Sequence, residues 1–169
     1  MMAGVIMLSQ LQQKNVWENR LSSEMRANYF ADLANRYQFR QRALTWFTLL
    51  FSSGAAFAIV TDWTPEGFEW IKAALALLTA AASLLSLVEQ NQKSATVCSD
   101  LHFRWNRLAS EYESLWDDMY AADAELKLKA LGEKEAELSR SSTASPYRER
   151  VMLKWQDHVE RHHRVSATA

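Results

Sequence analysis

Residues 43–61 read ALTWFTLLFSSGAAFAIVT and residues 73–88 read AALALLTAAASLLSLV, and neither stretch contains a charged side chain. A helix over the first stretch is about 28 Å long, close to the roughly 30 Å hydrocarbon thickness of a bilayer. The stretch between them, TDWTPEGFEWIK (61–72), holds a proline and a glycine that favour a turn. The sequence predicts a transmembrane helical hairpin at 43–88, with spans at 43–61 and 70–88 and a turn at 62–69.

The residues that flank the two apolar stretches distinguish this hairpin from its alternative, a buried helix pair in a soluble bundle. Arginines precede the first stretch and the turn is acidic, so the positive-inside rule places both termini in the cytoplasm. Tryptophans at the ends of the stretches suit the headgroup level of a bilayer. The residues expected at the membrane interface are Arg40, Arg42, Trp46, Trp63, Trp70 and Lys72.

Composition limits the classes of function. The formal net charge of -1 gives no basis for nucleic-acid binding. Four glycines and two prolines in 169 residues favour long helices over strands and turns. Cys98 is the single cysteine, so the chain forms no internal disulfide.

The N-terminal segment, residues 1–42, is predicted to be a cytoplasmic amphipathic helix. Apolar residues recur every four positions along it, which places them in one stripe that winds slowly around the helix. These residues are Trp17, Leu21, Met25, Tyr29, Leu33 and Tyr37. A helix with such a stripe packs against a partner.

The segment 89–138 contains a heptad pattern and is predicted to be one cytoplasmic helix. Apolar residues alternate at spacings of three and four from Cys98 to Leu126, the pattern of left-handed helix packing. They are expected either to join subunits of a homo-oligomer or to form the core of a bundle with the 17–37 stripe. The central residues of this set are Leu101, Trp105, Leu108, Tyr112, Leu115 and Met119.

Two further segments complete the chain. Residues 139–146 are predicted to be a loop, and Ser145 with Pro146 suits the N-cap and first turn of a helix. Residues 147–169 then form a basic helix and tail. This helix either docks on the bundle or lies on an anionic leaflet, and docking is favoured.

Motifs for catalysis are absent from the sequence: it has no glycine-rich phosphate loop, nucleophile elbow or CxxC pair. His158, His162 and His163 lack a third shielded ligand for a metal ion. Asp117 and Asp118 are adjacent and point to different helix faces, so they make poor acid–base partners. No catalytic residue, metal or cofactor is expected, and the chain is not predicted to be an enzyme.

Hydroxyl side chains form one stripe on each helix of the hairpin. They either pack the helices together through hydrogen bonds or line a water-filled path in an oligomer. Sequence alone favours packing. The residues concerned are Thr45, Thr48, Ser52, Thr79, Ser83, Ser86 and Gln90.

The order of segments resembles a bacterial family. A basic helix (YFADLANRYQFRQRA, 29–43), a tight membrane hairpin and a long helix (SDLHFRWNRLASEYESLW, 99–116) together resemble the SLATT family, the SMODS- and SLOG-associating two-transmembrane effector domains. The resemblance implies a membrane effector of anti-phage defence, activated by a separate cytoplasmic sensor or nucleotide-signalling protein. This chain contains no recognisable nucleotide-binding domain.

The fold expected from these observations is an all-α membrane protein, with a two-helix transmembrane hairpin and long cytoplasmic helices packed as a coiled-coil-like bundle. The leading hypothesis is a homo-oligomer in the bacterial inner membrane that permeabilises the bilayer. The alternatives are a non-conducting membrane-anchored scaffold, which recruits a cytoplasmic partner through its coiled arm, and a soluble helical bundle.

Overall fold

The structure of the protein is a computed structural model that describes residues 8–52 and 91–167, with single positions at 70, 74, 77–78, 80–81 and 84. Within these residues the chain forms four helices and no strand, which confirms the all-helical prediction. They are α1 (Gln10–Ser52), α2 (Asn91–Asp117), α3 (Ala124–Ser142) and α4 (Glu149–Ala167).

The chain divides into two compact units. Residues 1–33 and 97–169 form the first, the bundle unit, and residues 34–96 form the second, the apolar unit. Helix α1 contributes to both, since it runs from Gln10 to Ser52. The predicted boundary at residue 42 between the N-terminal helix and the first apolar stretch lies inside α1, which is continuous to Ser52.

Helix α1 begins with a reciprocal pair of hydrogen bonds. The Ser9 amide donates to Gln12 Oε1 at 2.8 Å, and the Gln12 amide donates to Ser9 Oγ at 3.3 Å. This capping box satisfies two backbone donors that the first turn of a helix leaves without an internal partner. It fixes the N-terminal end of α1, which begins at Gln10.

Within the bundle unit, α1 and α2 run antiparallel. Asn19 lies near Tyr112, and Arg20 pairs with Glu113 at 2.6 Å. Further along, His102 Nδ1 lies 2.9 Å from the Ala27 carbonyl oxygen. Apolar residues of α1 are buried in the same unit, among them Val16, Ala27, Phe30 and Leu33.

The predicted single helix over 89–138 differs from the structure, which has two helices there. Helix α2 ends at Asp117, and residues 118–123 turn the chain back so that α3 runs antiparallel to α2. The reversal brings α3 against α2, where Trp105 bonds to Ser142 and Tyr112 bonds to Glu135. Lys127 then pairs with Asp118 at 3.7 Å and with Asp123 at 3.1 Å across the turn.

The heptad pattern does not continue through this turn. Leu126, its predicted last member, is 73% exposed. A different register is buried in α3: Ala124, Leu131 and Leu138, each seven positions from the next. The apolar residues from Met119 to Leu126 therefore fit the heptad spacing but do not continue the buried face of α2.

The boundaries of the last loop also differ from the prediction of a loop at 139–146. Helix α3 continues to Ser142, and α4 begins at Glu149, past Ser145 and Pro146. The cause lies in α1, because the Tyr29 hydroxyl donates to the Pro146 carbonyl at 2.9 Å and accepts from the Arg148 amide at 2.9 Å. These two bonds hold residues 146–148 outside the helix.

Among the described residues, no helix combines the length and the apolar character needed to cross a bilayer. Of the predicted hairpin, the structure describes residues 43–52 and single positions in 70–84. The turn at 62–69 and the greater part of the second span lie outside the described residues.

Candidate functional site

Large apolar side chains stand exposed in the apolar unit, and they form the candidate site, called here the exposed apolar set. Each is between 54% and 74% exposed. The side chains described as buried in this unit are small or polar: Ala34, Asn91 and Ala95. The exposed apolar set comprises Phe39, Trp46, Leu49, Leu50, Trp70, Leu77, Leu78 and Leu84.

The predicted hydroxyl stripe is described for its first helix. Thr45 Oγ1 donates to the Gln41 carbonyl at 2.9 Å, the backbone bond that a packing role predicts. Thr48 Oγ1 is buried and has no hydrogen-bond partner among the described residues. Ser52 is the last residue of α1. The remaining stripe residues lie outside the described residues: Thr79, Ser83, Ser86 and Gln90.

The predicted membrane-interface residues are exposed wherever the structure describes them. Arg40 and Arg42 lie on the surface of α1, where Arg42 is about one turn before Trp46, and Trp70 is 65% exposed. Trp63 and Lys72 lie outside the described residues.

The predicted heptad residues of α2 are placed in the core of the bundle unit. Leu101, Trp105, Leu108, Tyr112 and Leu115 are at most 2% exposed within the single chain. Met119 lies in the turn after α2 and is half-buried. The residues that cover this seam belong to α1 and α3 of the same chain, since both helices contact α2.

Polar bonds fix the register inside this core. The Tyr112 hydroxyl donates to Glu135 at 3.0 Å and lies 3.4 Å from the Asn19 amide nitrogen. Burial raises the pKa of the Tyr112 phenol above its ordinary value of 10.0, and the Glu135 carboxylate raises this pKa further. Trp105 Nε1 donates to Ser142 Oγ at 3.2 Å. Such bonds prevent α2 from sliding against its neighbours, because each buried donor would lose its acceptor.

Helix α4 docks on α1 through contacts that the sequence analysis did not identify. Lys154 Nζ lies 3.2 Å from Asp32 Oδ2, and Trp155 Nε1 donates to the same oxygen at 3.3 Å. One end of the helix is fixed by His163 Nε2, which lies 2.8 Å from Glu24 Oε2. Glu24 and Asp32 are eight positions apart on α1 and therefore share a face, a signal that could have indicated this docking.

Apolar contacts support the same docking. Val151 and Val159 are buried, whereas Tyr147 precedes the helix and is 71% exposed. At the far end the indole of Trp17 lies edge-on to His163 and tilted against Trp116. The favoured prediction for this basic segment, docking on the bundle, matches the observed packing.

Groups able to carry chemistry are few among the described residues. Those residues contain no cluster of three side chains suited to a metal ion. Cys98 is buried, and burial raises the pKa of its thiol, which lowers the fraction of reactive thiolate. Burial likewise raises the pKa of Tyr29.

Comparison with protein-family models, with curated proteins and with solved structures finds no match to this chain.

Proposed function

We propose that the protein is a bacterial inner-membrane effector that inserts its apolar segment into the bilayer, assembles as a homo-oligomer and permeabilises the membrane. The bundle unit forms its cytoplasmic part. This keeps the function that the SLATT resemblance implies, including its proposed place in anti-phage defence, and it keeps residues 43–61 and 70–88 as the membrane spans.

The observation that carries the proposal is the exposed apolar set. A contiguous run of large apolar side chains on a protein surface marks an interface with lipid or with another protein. Six of the eight exposed side chains belong to the two stretches that have no charge, and Arg40 and Arg42 precede these six. The other two are Phe39 and Trp70, which flank the stretches. Hydrocarbon is the surrounding that removes this whole surface from water, at about 25 cal/mol for each Å².

Assembly is assigned to the apolar segment because the heptad seam is filled within one chain. The heptad face of α2 is buried within one chain, which favours the apolar segment over this face as the surface for assembly. Thr48, with its buried and unpaired hydroxyl, is a candidate for a hydrogen bond to a neighbouring copy or to water in a pore.

Membrane association is tested with Leu49→Arg combined with Leu50→Arg. An arginine at the centre of a span costs about 2.5 to 3.5 kcal/mol on insertion scales, so two should move the protein out of the membrane fraction. The matched control is Leu11→Arg with Leu126→Arg, two exposed leucines of the bundle unit. If the wild-type protein remains in the supernatant without detergent, the membrane proposal is wrong.

Permeabilisation is tested separately by dye influx into expressing cells. Thr48→Val, Ser52→Ala, Thr79→Val and Ser83→Ala together make a hydroxyl-lined path apolar, and narrow apolar paths lose water and stop conducting. The control is Leu49→Ala with Leu77→Ala. If influx at equal membrane levels matches that of the wild type, these hydroxyls do not line a pore.

A further inference from the structure

A cavity of about 390 Å³ opens in the bundle unit where α3 ends and α4 begins. Its walls come from α1, from the C-terminal turn of α3 and from the segment that leads into α4. Arg26 is the one charged residue in its lining, and most of the other polar groups there are hydroxyls. The function proposed above does not involve this cavity.

The charge of Arg26 is held in place without a counter-charge. Its guanidinium carbon lies 4.6 Å from the centre of the Trp105 ring, and Nη1 donates to Ser139 Oγ at 2.9 Å. No carboxylate pairs with it among the described residues. A half-buried guanidinium fixed by an indole and a hydroxyl keeps donors available for an anion.

Two cavities between α2 and α3 differ from the Arg26 cavity, because their cationic side chains are paired with carboxylates. They have volumes of about 270 and 260 Å³, and both are lined by charged residues of the two helices. There Arg104 pairs with Glu137, and Arg107 and Lys134 both pair with Glu111. Their cations are thus neutralised by the protein itself, whereas the cation of the Arg26 cavity is not.

The hydroxyls around Arg26 fall into two groups. Ser142 and Thr143 donate to carbonyls of their own helix, and the Tyr29 hydroxyl donates to Pro146. Ser139 and Ser145 donate to no described residue, so both hydroxyl hydrogens remain for a ligand. With Arg26 they supply three separate donor groups, which suits the three terminal oxygens of a phosphate monoester.

The rest of the wall is apolar. Phe30, Tyr147 and Met152 line the cavity, and its volume exceeds that of a phosphate group alone. A ligand that fills it has an apolar or aromatic body beside its charged head, the usual balance of a small-molecule site.

We propose that this cavity is a binding site for a small phosphate monoester with an apolar body. Arg26 binds the phosphate oxygens, Ser139 and Ser145 donate to them, and Tyr147 and Met152 cover the body. The site is independent of the membrane function, because none of its residues belongs to the apolar unit.

Equilibrium dialysis of the full chain in neutral detergent tests the site with phenyl phosphate as the probe. Saturable binding is expected, and Arg26→Gln should weaken it by roughly tenfold or more, because the hydrogen bonds lost are to a charged group. Arg20→Gln is the matched control: Arg20 lies on the same helix but is paired with Glu113. Inorganic phosphate should bind more weakly than the probe, since it has no apolar body.

Ser139→Ala with Ser145→Ala gives a second test that leaves the cation–ring contact intact. This variant should retain the helix content of the wild type by circular dichroism and still bind the probe more weakly. The proposal is overturned if phenyl phosphate does not saturate, if benzoate binds more tightly than phenyl phosphate, or if Arg26→Gln and Arg20→Gln bind the probe equally.

Discussion

Two tryptophans show how differently the two units of this protein treat the same side chain. Trp105 in the bundle unit is fully buried, beneath Arg26 and against Ser142, whereas Trp46 in the apolar unit is 72% exposed. Both lie on long helices, in stretches rich in apolar residues. The difference shows what an apolar pattern can predict. It predicts that apolar side chains lie together on one face, but it does not show whether the same chain covers that face.

In the bundle unit the chain supplies that surrounding itself. Helices α1 and α3 cover the face of α2, and polar bonds such as that from Tyr112 to Glu135 fix their register. In the apolar unit eight of the described large apolar side chains are at least 54% exposed, Trp46 among them. Stability of the bundle unit and association of the apolar unit should therefore respond to different substitutions.

The largest expected effect follows from Leu108→Asp combined with Leu115→Asp. Both leucines are 2% exposed, and burying an unpaired carboxylate costs several kcal/mol. We expect the bundle unit to unfold, with loss of helical circular dichroism and of protease resistance. Leu11→Asp with Leu126→Asp, at exposed positions, is the control; equal damage from both pairs would show that the α2 seam is not the core.

Substitution of the two tryptophans tests the comparison directly. Trp105→Ala should lower the free energy of unfolding by about 3 to 5 kcal/mol, because it empties a filled core site. Trp46→Ala should leave the unfolding of the bundle unit unchanged to within about 0.5 kcal/mol. Denaturant titration measures both. Similar losses from the two variants would mean that Trp46 is also part of a packed core.

Alkaline pH should weaken the bundle unit. The pKa of Tyr112 is raised in the folded state, so between its ordinary value of 10.0 and the folded value the unfolded chain releases a proton that the folded chain retains. The stabilisation is complete below pH 10 and falls above it by at most about 1.4 kcal/mol per pH unit.

Thermal unfolding at pH 8 to 11 checks this dependence, and Tyr112→Phe is the variant to compare. It removes the titrating group, so its melting temperature should fall less steeply than that of the wild type above pH 10. Tyr120→Phe, at an exposed position, should retain the wild-type slope. Parallel slopes for Tyr112→Phe and the wild type would contradict the argument.

The smallest effect is expected at Gly132. A Cβ added there meets no atom within 4 Å, and the residue lies inside α3. Gly132→Ala should raise the free energy of unfolding by about 0.5 to 1 kcal/mol, because alanine loses less conformational freedom in a helix. A melting temperature below that of the wild type would show that this outer face of α3 is covered, as the face of α2 is.

The α2 seam could be predicted residue by residue, because a helix repeats its contacts at spacings of three and four. Its end could not. The spacing from Leu115 through Met119 to Leu126 satisfies the same repeat, yet the chain turns at residues 118–123, and Ala124 and Leu131 are buried instead of Leu126. A local pattern cannot show where a chain reverses when the returning helix carries its own apolar repeat.

The two proposed sites, the exposed apolar set and the Arg26 cavity, differ in the same way in how far the sequence predicts them. The uncharged stretches and their arginine and tryptophan flanks were visible in the sequence, since they depend on residue type alone. The Arg26 cavity was not, because it joins residues more than a hundred positions apart, and nothing in the order of residues shows that Arg26 lacks a carboxylate neighbour. The docking of α4 through Glu24 and Asp32 had only the weak signal of their shared helix face.

The helical class, the positions of the apolar faces and the uncharged segments could be read from the order of residues, because each follows from residue type and the period of a helix. Three features follow instead from contacts between distant segments. They are the burial of the heptad face of α2 within one chain, the end of that helix at Asp117, and the two bonds by which Tyr29 holds residues 146–148 outside α4. These depend on which surfaces meet across long sequence separations, and burial of one face against another is not encoded in the spacing of either.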